Sequence, residues 1–203
     1  MELDIATLER RDIYKVMTGC IVPRPIAWVS TQDSAGINNL APFSFFNGIS
    51  SNPPALCFSI AHNSQRTSGQ KDTLHNILEM GEFVVNVVDE ATAEAMDATA
   101  ADFPADVDEF AAVGVTPAPS QSVRPPRVAE SPACFECTLH TTVQVGEGSG
   151  SSTLVIGIIK HIYVRDDVIG ERNYIDNARL KPVGRLAGKS YCYVRDLFEI
   201  SKK

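Results

Sequence analysis

A mainly β chain with peripheral helices, its sheet closed or partly closed into a barrel, is what this sequence predicts. Three observations predict it. Residues 134–145 (CFECTLHTTVQV) and 152–164 (STLVIGIIKHIYV) are long runs rich in β-branched and aromatic side chains, joined by Gly146-Glu147-Gly148-Ser149-Gly150, the composition of a hairpin. Residues 83–88 (FVVNVV) are almost continuously apolar, as in a strand buried on both faces. Helical segments are too few to cross over between parallel strands, which argues against a doubly wound sheet.

The elements follow in chain order. Residues 1–15 (MELDIATLERRDIYK) alternate charges with Leu and Ile and read as an amphipathic lead-in without the apolar core of a signal peptide. Residues 26–31 (IAWVST) read as a strand with Trp28 in the core, and Gln32-Asp33-Ser34-Ala35-Gly36 as the turn that reverses it. Residues 43–47 (FSFFN) alternate poorly for a one-sided strand. Three phenylalanines beside Ser44 and Asn47 form an apolar wall with a few hydrogen-bonding groups, which suits a flat ring. A strand at 56–60 (LCFSI) leads into a polar loop at 62–71 (HNSQRTSGQK), and a helix follows. Asp72 or Thr73 is its expected cap, Leu74, Ile77 and Leu78 its apolar stripe, and Gly81 its C′ residue.

After the strand at 82–88, the Ala-rich run 89–102 (DEATAEAMDATAAD) predicts a helix with a solvated acidic face. Residues 103–132 carry four Pro-containing breaks and predict a long surface excursion with one short helix near 106–112. The glycine cluster at 146–150 spells G-x-G-x-G, but a strand rather than a helix follows it, so the dinucleotide-binding pattern fails and the hairpin stands.

The loop before the second helix brings Arg66, Lys71 and several hydroxyls to a helix N-terminus, where unpaired backbone N–H groups and the helix dipole favour an anion such as phosphate. A flat-ring wall beside a phosphate site points to flavin mononucleotide (FMN).

The runs PRPIAWVST, NNLAPFSFFN and KDTLHNI followed by GEFVVN, in this order and spacing, resemble the flavin reductase-like family of FMN-binding split barrels, which includes flavoredoxins and the reductase components of two-component monooxygenases. The likeness covers residues 18–164, with an echo in PVGRLAGKSY. It implies a single domain over 1–203, a six-stranded split β-barrel of Greek-key order, and a homodimer with FMN near the subunit interface. The tail 165–203 would pack at that interface, with Arg185 and Tyr191 as further flavin contacts. On the matched positions the resemblance implies that Arg24 approaches the flavin, that Pro25 shapes the strand entrance, and that Ser44, Phe45, Phe46 and Asn47 surround its ring. Ser59, Ile60 and Ala61 would offer backbone contacts, and Arg66, Lys71, Asp72 and Thr73 would hold the phosphate.

Composition sets the outer limits. With 203 residues, 44% hydrophobic and 21% charged, and mean hydropathy of −0.04, the chain is an ordinary globular sequence. A net charge of −7 argues against nucleic acid as the main partner. No apolar run approaches the ~20 residues of a membrane helix. Five cysteines without a secretory signal predict reduced thiols and a cytoplasmic setting. Cys134 and Cys137 form C-x-x-C, yet on a strand i and i+3 face opposite sides, and no second ligand pair completes a metal site. They are expected to serve packing or edge positions.

No Ser-His-Asp order or carboxylate pair stands out, and a flavin would carry the chemistry itself. The leading expectation is an oxidoreductase that moves hydride from NADH or NADPH to FMN and passes electrons to free flavin, oxygen or a partner monooxygenase. One alternative is a non-enzymatic FMN-holding electron carrier; another is a module that kept the scaffold and lost the flavin.

Overall fold

The structure is a computed structural model and describes residues 1–62 and 70–200. In chain order it contains α1 (Arg10–Cys20), β1 (Ala27–Gln32), β2 (Asn38–Phe43), β3 (Phe46–Ser51), β4 (Pro54–Ala61), α2 (Asp72–Met80), β5 (Glu82–Val87), α3 (Ala93–Ala98) and α4 (Glu109–Val113). The short β6 (Pro117–Ala118) and β7 (Arg127–Val128) precede the long β8 (Ala133–Val145) and β9 (Ser152–Val164), and α5 (Asn177–Leu180), β10 (Val183–Arg185) and β11 (Tyr191–Tyr193) follow.

The main sheet has seven strands in the order β2-β1-β5-β8-β9-β4-β3, all paired antiparallel. This corrects the expected six-stranded barrel in two respects: there is one strand more, and the edge strands β2 and β3 share no ladder. The physical reason lies in the link between them. Only Ser44 and Phe45 separate the two edges, so Phe43 and Phe46 lie within about 11 Å of each other, and the sheet must roll until its edges nearly meet. At the meeting point the Ser59 N–H donates to the Phe45 carbonyl (2.9 Å), so the backbone bonds to β4 rather than closing the seam with β2.

Two apolar clusters form on the two faces of β1. Inside the roll, Ala27, Val29, Phe43, Phe58, Phe83 and Val155 pack with Leu74 and Ile77 from α2, which plugs the interior. Gly157 belongs here because a Cβ at that position would run into the Phe83 ring. On the other face, Trp28, Leu40 and Val88 pack against Met96, Phe110, Val128 and Val183. The Trp28 Nε1–H donates to the Thr99 hydroxyl (2.9 Å), giving the buried indole its polar partner.

The Pro-rich stretch is therefore more than a surface excursion. Phe110 and Val128 are fully buried in the second cluster. The buried Glu136 carboxylate accepts from the backbone N–H groups of Gln121 (2.9 Å) and Ser122 (2.6 Å), and Asn86 Oδ1 accepts from the Val128 N–H (2.8 Å). The predicted helix at 106–112 is found at Glu109–Val113, capped by Asp108. The predicted helix at 89–102 shrinks to Ala93–Ala98, because Asp89 turns its carboxylate onto the N–H groups of Ala91 (3.1 Å) and Thr92 (3.0 Å). Its acidic face is not simply solvated, since Asp97 accepts from the Tyr191 hydroxyl (2.6 Å).

Helix α2 ends at Gly81 in the left-handed region (φ 70°), as the sequence predicts. Its start differs: the N-cap is Lys71, whose ammonium has no lone pair with which to cap, and the Thr73 hydroxyl donates to Asn39 instead. Cys134 and Cys137 are both fully buried, and Cys137 alone of the two joins the interior cluster, as opposite-facing positions require. Burial pushes the Cys134 thiol up to about 12 and the Cys137 thiol higher still, so both are chemically quiet packing residues. Part of the tail packs on its own chain: Val183 enters the second cluster, and Arg185 and Arg24 exchange backbone hydrogen bonds (2.9 and 3.0 Å). Beyond it, Leu197, Phe198 and Ile200 are exposed.

Candidate functional site

The predicted residues fall into two groups that β2 joins. The first lies where the sheet edges meet. Phe43 is buried in the core, whereas Phe45 is exposed, Phe46 rests partly buried on the interior cluster and Asn47 is exposed. Across from them on β4, Phe58 and Ile60 point inward, while Ser59 is half-buried and Ala61 exposed, the alternation a strand imposes. The Ile60 side chain belongs to the core and leaves only backbone for a ligand.

The second group is the start of α2. A cavity of about 70 Å³ is lined there by Lys71, Asp72 and Thr73 together with Asn39, Ala41 and Pro42 of β2, and by Ala100, Ala101, Asp102, Phe103 and Glu109. Because Pro42 is two residues from Ser44, the two groups meet within about 7 Å of backbone. Helix geometry gives the N–H groups ahead of Leu74 no helical acceptor, the Leu74 N–H itself donating to the Lys71 carbonyl (3.0 Å), and Lys71 adds a cation at that end. Arg66 lies outside the described residues.

Arg24 lies behind the aromatic wall. Its guanidinium is buried and donates to the carbonyls of Thr18 (2.8 Å), Ile21 (2.7 Å) and Leu186 (3.0 Å), with Nε 3.4 Å from the Ser44 hydroxyl. It staples the end of α1 to the tail, and it reaches the ligand wall through that contact with Ser44 and by standing over the Phe45 ring (5.9 Å). Pro25 beside it is exposed. Arg185 lies over Tyr191 (4.5 Å) and donates to the carbonyls of Gly188 (2.5 Å) and Ser190 (2.9 Å). The Tyr191 hydroxyl is held by Asp97, and burial, aided by that bond, raises its pKa to about 12. Both terminal nitrogens of Arg185 and the Tyr191 hydroxyl are thus engaged within the chain.

Sequence reasoning missed a buried polar chain beneath the α2 start. The Asn39 Nδ2 donates to Glu109 Oε1 (2.7 Å), and the Leu40 N–H donates to Oε2 (3.1 Å). The Thr73 hydroxyl donates to Asn39 Oδ1 (2.8 Å), as does that of Thr31 at 3.3 Å, and Asn76 Nδ2 donates to Thr31 (3.1 Å). Burial pushes the Glu109 carboxyl above its usual range; its own backbone, Asn39 and Leu40 pull it down, and the charge of Asp72 adds to the rise. A signal existed in the pair Asn38-Asn39: on a strand one of two consecutive residues must face inward, and a buried Asn requires partners. A second cavity, of about 200 Å³, lies between Asp33, His75, Asn76, Glu79 and Glu109 and shares Asn39, Asp72 and Glu109 with the first. Among the described residues no group of His, Cys, Asp or Glu is arranged to hold a metal ion.

A rolled antiparallel sheet left open at one seam, with an aromatic wall beside a helix N-terminus, defines a fold of split-barrel type. The chain belongs to the flavin reductase like domain family, whose profile matches residues 18–183. It is similar to nitrilotriacetate monooxygenase component B from Bacillus cereus, at 33% identity and TM-score 0.93 over 98% of each chain. It is also similar to the 2-nitrobenzoate 2-nitroreductase NbaA of Pseudomonas fluorescens, at 33% identity and TM-score 0.89 over 100% of this chain and 96% of the other. A Shewanella frigidimarina NCIMB 400 protein with a split barrel domain matches over 100% of both chains at TM-score 0.85 and 24% identity, which shows the fold. The chain is thus a flavin-related oxidoreductase of split-barrel type. Among the described residues no helix is long and apolar enough to cross a membrane.

Proposed function

We propose that this chain binds FMN and reduces it with NADH or NADPH, passing the electrons to free flavin, oxygen or a partner oxygenase. The observation that carries the reading is the meeting of the Phe45 wall and the Lys71 helix start within two residues of β2. Lys71 and the first-turn N–H groups of α2 would take the phosphate, while Phe45, Ser44 and the β4 edge at Ser59 and Ala61 would border the ring. A bound flavin supplies hydride acceptance; the residues around it bind, orient and exclude water. Likeness to an oxygenase component supports an oxygenase partner, and likeness to a nitroreductase supports nitroaromatic compounds as a further acceptor class to test.

The same proposal includes a homodimer. The outward face of the β9 half of the sheet carries the half-buried Leu154, Ile156 and Ile158, with the exposed Val143 opposite Leu154 on β8. Such a stripe needs a partner, and a second copy presenting the same stripe is self-complementary.

The test is a titration with FMN and riboflavin followed by anaerobic mixing with NADH and NADPH. Tighter binding of FMN and rapid bleaching of its absorbance are expected. Binding without bleaching by either nucleotide would leave the electron-carrier reading, and no flavin binding at all would refute both.

A further inference from the structure

The buried chain under α2 has a direction, and one charge sets it. An ionised carboxylate only accepts hydrogen bonds, so the Asn39 atom facing Glu109 must be the amide nitrogen. Asn39 Oδ1 then faces Thr73 and Thr31, and both hydroxyls must donate to it. Thr31 keeps its oxygen free for the Asn76 amide. Every member is buried, so water does not blur the order. Thr73 also lines the cavity beside Lys71, where its hydroxyl would otherwise be a natural donor to an anion.

We propose that Glu109 is a specificity-determining residue of the anion site: its charge turns the Thr73 hydroxyl hydrogen inward and so denies it to a bound phosphate. The proposal rests on the reading of the α2 start as the phosphate site. Phosphate recognition is then left to Lys71 and the helix N–H groups, while Asp72, Asp102 and Glu109 keep the cavity itself acidic. Such a site discriminates FMN from riboflavin yet lets FMN leave, as a flavin that is both reduced and handed on must do.

Glu109→Gln keeps the shape and removes the charge. The new carboxamide oxygen can stay with the Leu40 N–H while its NH₂ group faces Asn39, which turns over to present its oxygen. Asn39 Nδ2 then points at Thr73 and Thr31. Thr31, with two lone pairs, accepts from both Asn39 and Asn76, and the Thr73 hydrogen is released into the cavity.

The experiment is calorimetric titration of FMN and riboflavin into wild type, Glu109→Gln, Thr73→Val and the double variant. The ratio of riboflavin to FMN dissociation constants should rise about tenfold in Glu109→Gln, the factor for a hydrogen bond to a charged group at the low end of its range. It should stay within about twofold in Thr73→Val, and the gain should vanish in the double variant. A ratio that falls or stays level in Glu109→Gln overturns the proposal, as does a gain that survives in the double variant, which would mean that charge acts alone. In ligand-free protein, NMR should show nuclear Overhauser effects from the Asn39 side-chain amide to the Glu109 methylenes in wild type, and to the Thr73 methyl in Glu109→Gln. Amide contacts to the Thr73 methyl already in wild type overturn the relay whatever the affinities. A wild type that binds both flavins equally overturns the phosphate reading and the specificity role with it, while the NMR result still decides the relay.

Discussion

Replacing Lys71 by Ala should weaken FMN binding and leave both riboflavin binding and the fold intact. Lys71 is the N-cap of α2, but it caps through its backbone: its carbonyl accepts from the N–H groups of Leu74 (3.0 Å) and His75 (3.1 Å), and its side chain makes no cap bond. Ala retains that carbonyl, so the helix start survives and the loss is confined to one ammonium group. A hydrogen bond to a charged group contributes about 1.5–3 kcal/mol, which is a rise in the FMN dissociation constant of roughly 10- to 150-fold. The lower end is expected, since Lys71 is only half-buried and three acidic residues line the same cavity. Fluorescence titration with both flavins measures it, and circular dichroism checks the helix. An equal loss for riboflavin, or an unchanged FMN affinity, would refute the assignment of Lys71 to phosphate.

Other outcomes follow from packing and ionisation. Gly157→Val should cost at least about 1–3 kcal/mol in urea denaturation, because its side chain must displace the Phe83 ring from the interior cluster; a neutral change would mean the ring has room to move. Under native conditions at pH 8 a thiol reagent should label exposed Cys20 and spare Cys134 and Cys137. The raised folded pKa of Glu109 means that its protonation stabilises the fold fully below the ordinary glutamate range, and that this contribution is lost as pH rises through the folded value. Denaturation over a pH series should therefore show wild type losing stability relative to Glu109→Gln across that window, and a constant difference would count against the raised pKa. Light scattering should give twice the chain mass, and a monomer with full FMN affinity would contradict the proposed dimer.

The parts of the fold that could be read in the sequence are those where local pattern and tertiary packing agree. The β8–β9 hairpin, strand β5 and helix α2 with its Gly81 terminus each carry a pattern strong enough to stand alone. Residues 89–102 form a shorter helix than their composition predicts, and part of 103–132 is drawn inward around its predicted helix, because side-chain bonds override propensity there. Asp89 holds an Ala-rich stretch in a turn, and Glu136 with Asn86 draws a Pro-rich stretch onto the sheet. The six-strand count failed at Phe46, where a run read as a ligand wall also begins an edge strand.

The candidate site shows the same limit more sharply. Residue types at a helix start reveal that an anion is favoured there, but not which hydrogens are available to it. Thr73 illustrates the difference: its position at the first turn suggests a donor, and its commitment to Asn39 depends on a glutamate 36 residues later in a helix that no motif marks. That commitment is a tertiary fact, because α4 meets β2 beside the cluster in which Phe110 is buried with Trp28 and Leu40. The excursion that places Glu109 against Asn39 is thus coupled to the core that positions β2, and β2 in turn spans the distance between the α2 start and the Phe45 wall. A substitution in the second cluster, far from any proposed ligand contact, should accordingly alter anion discrimination before it alters ring binding.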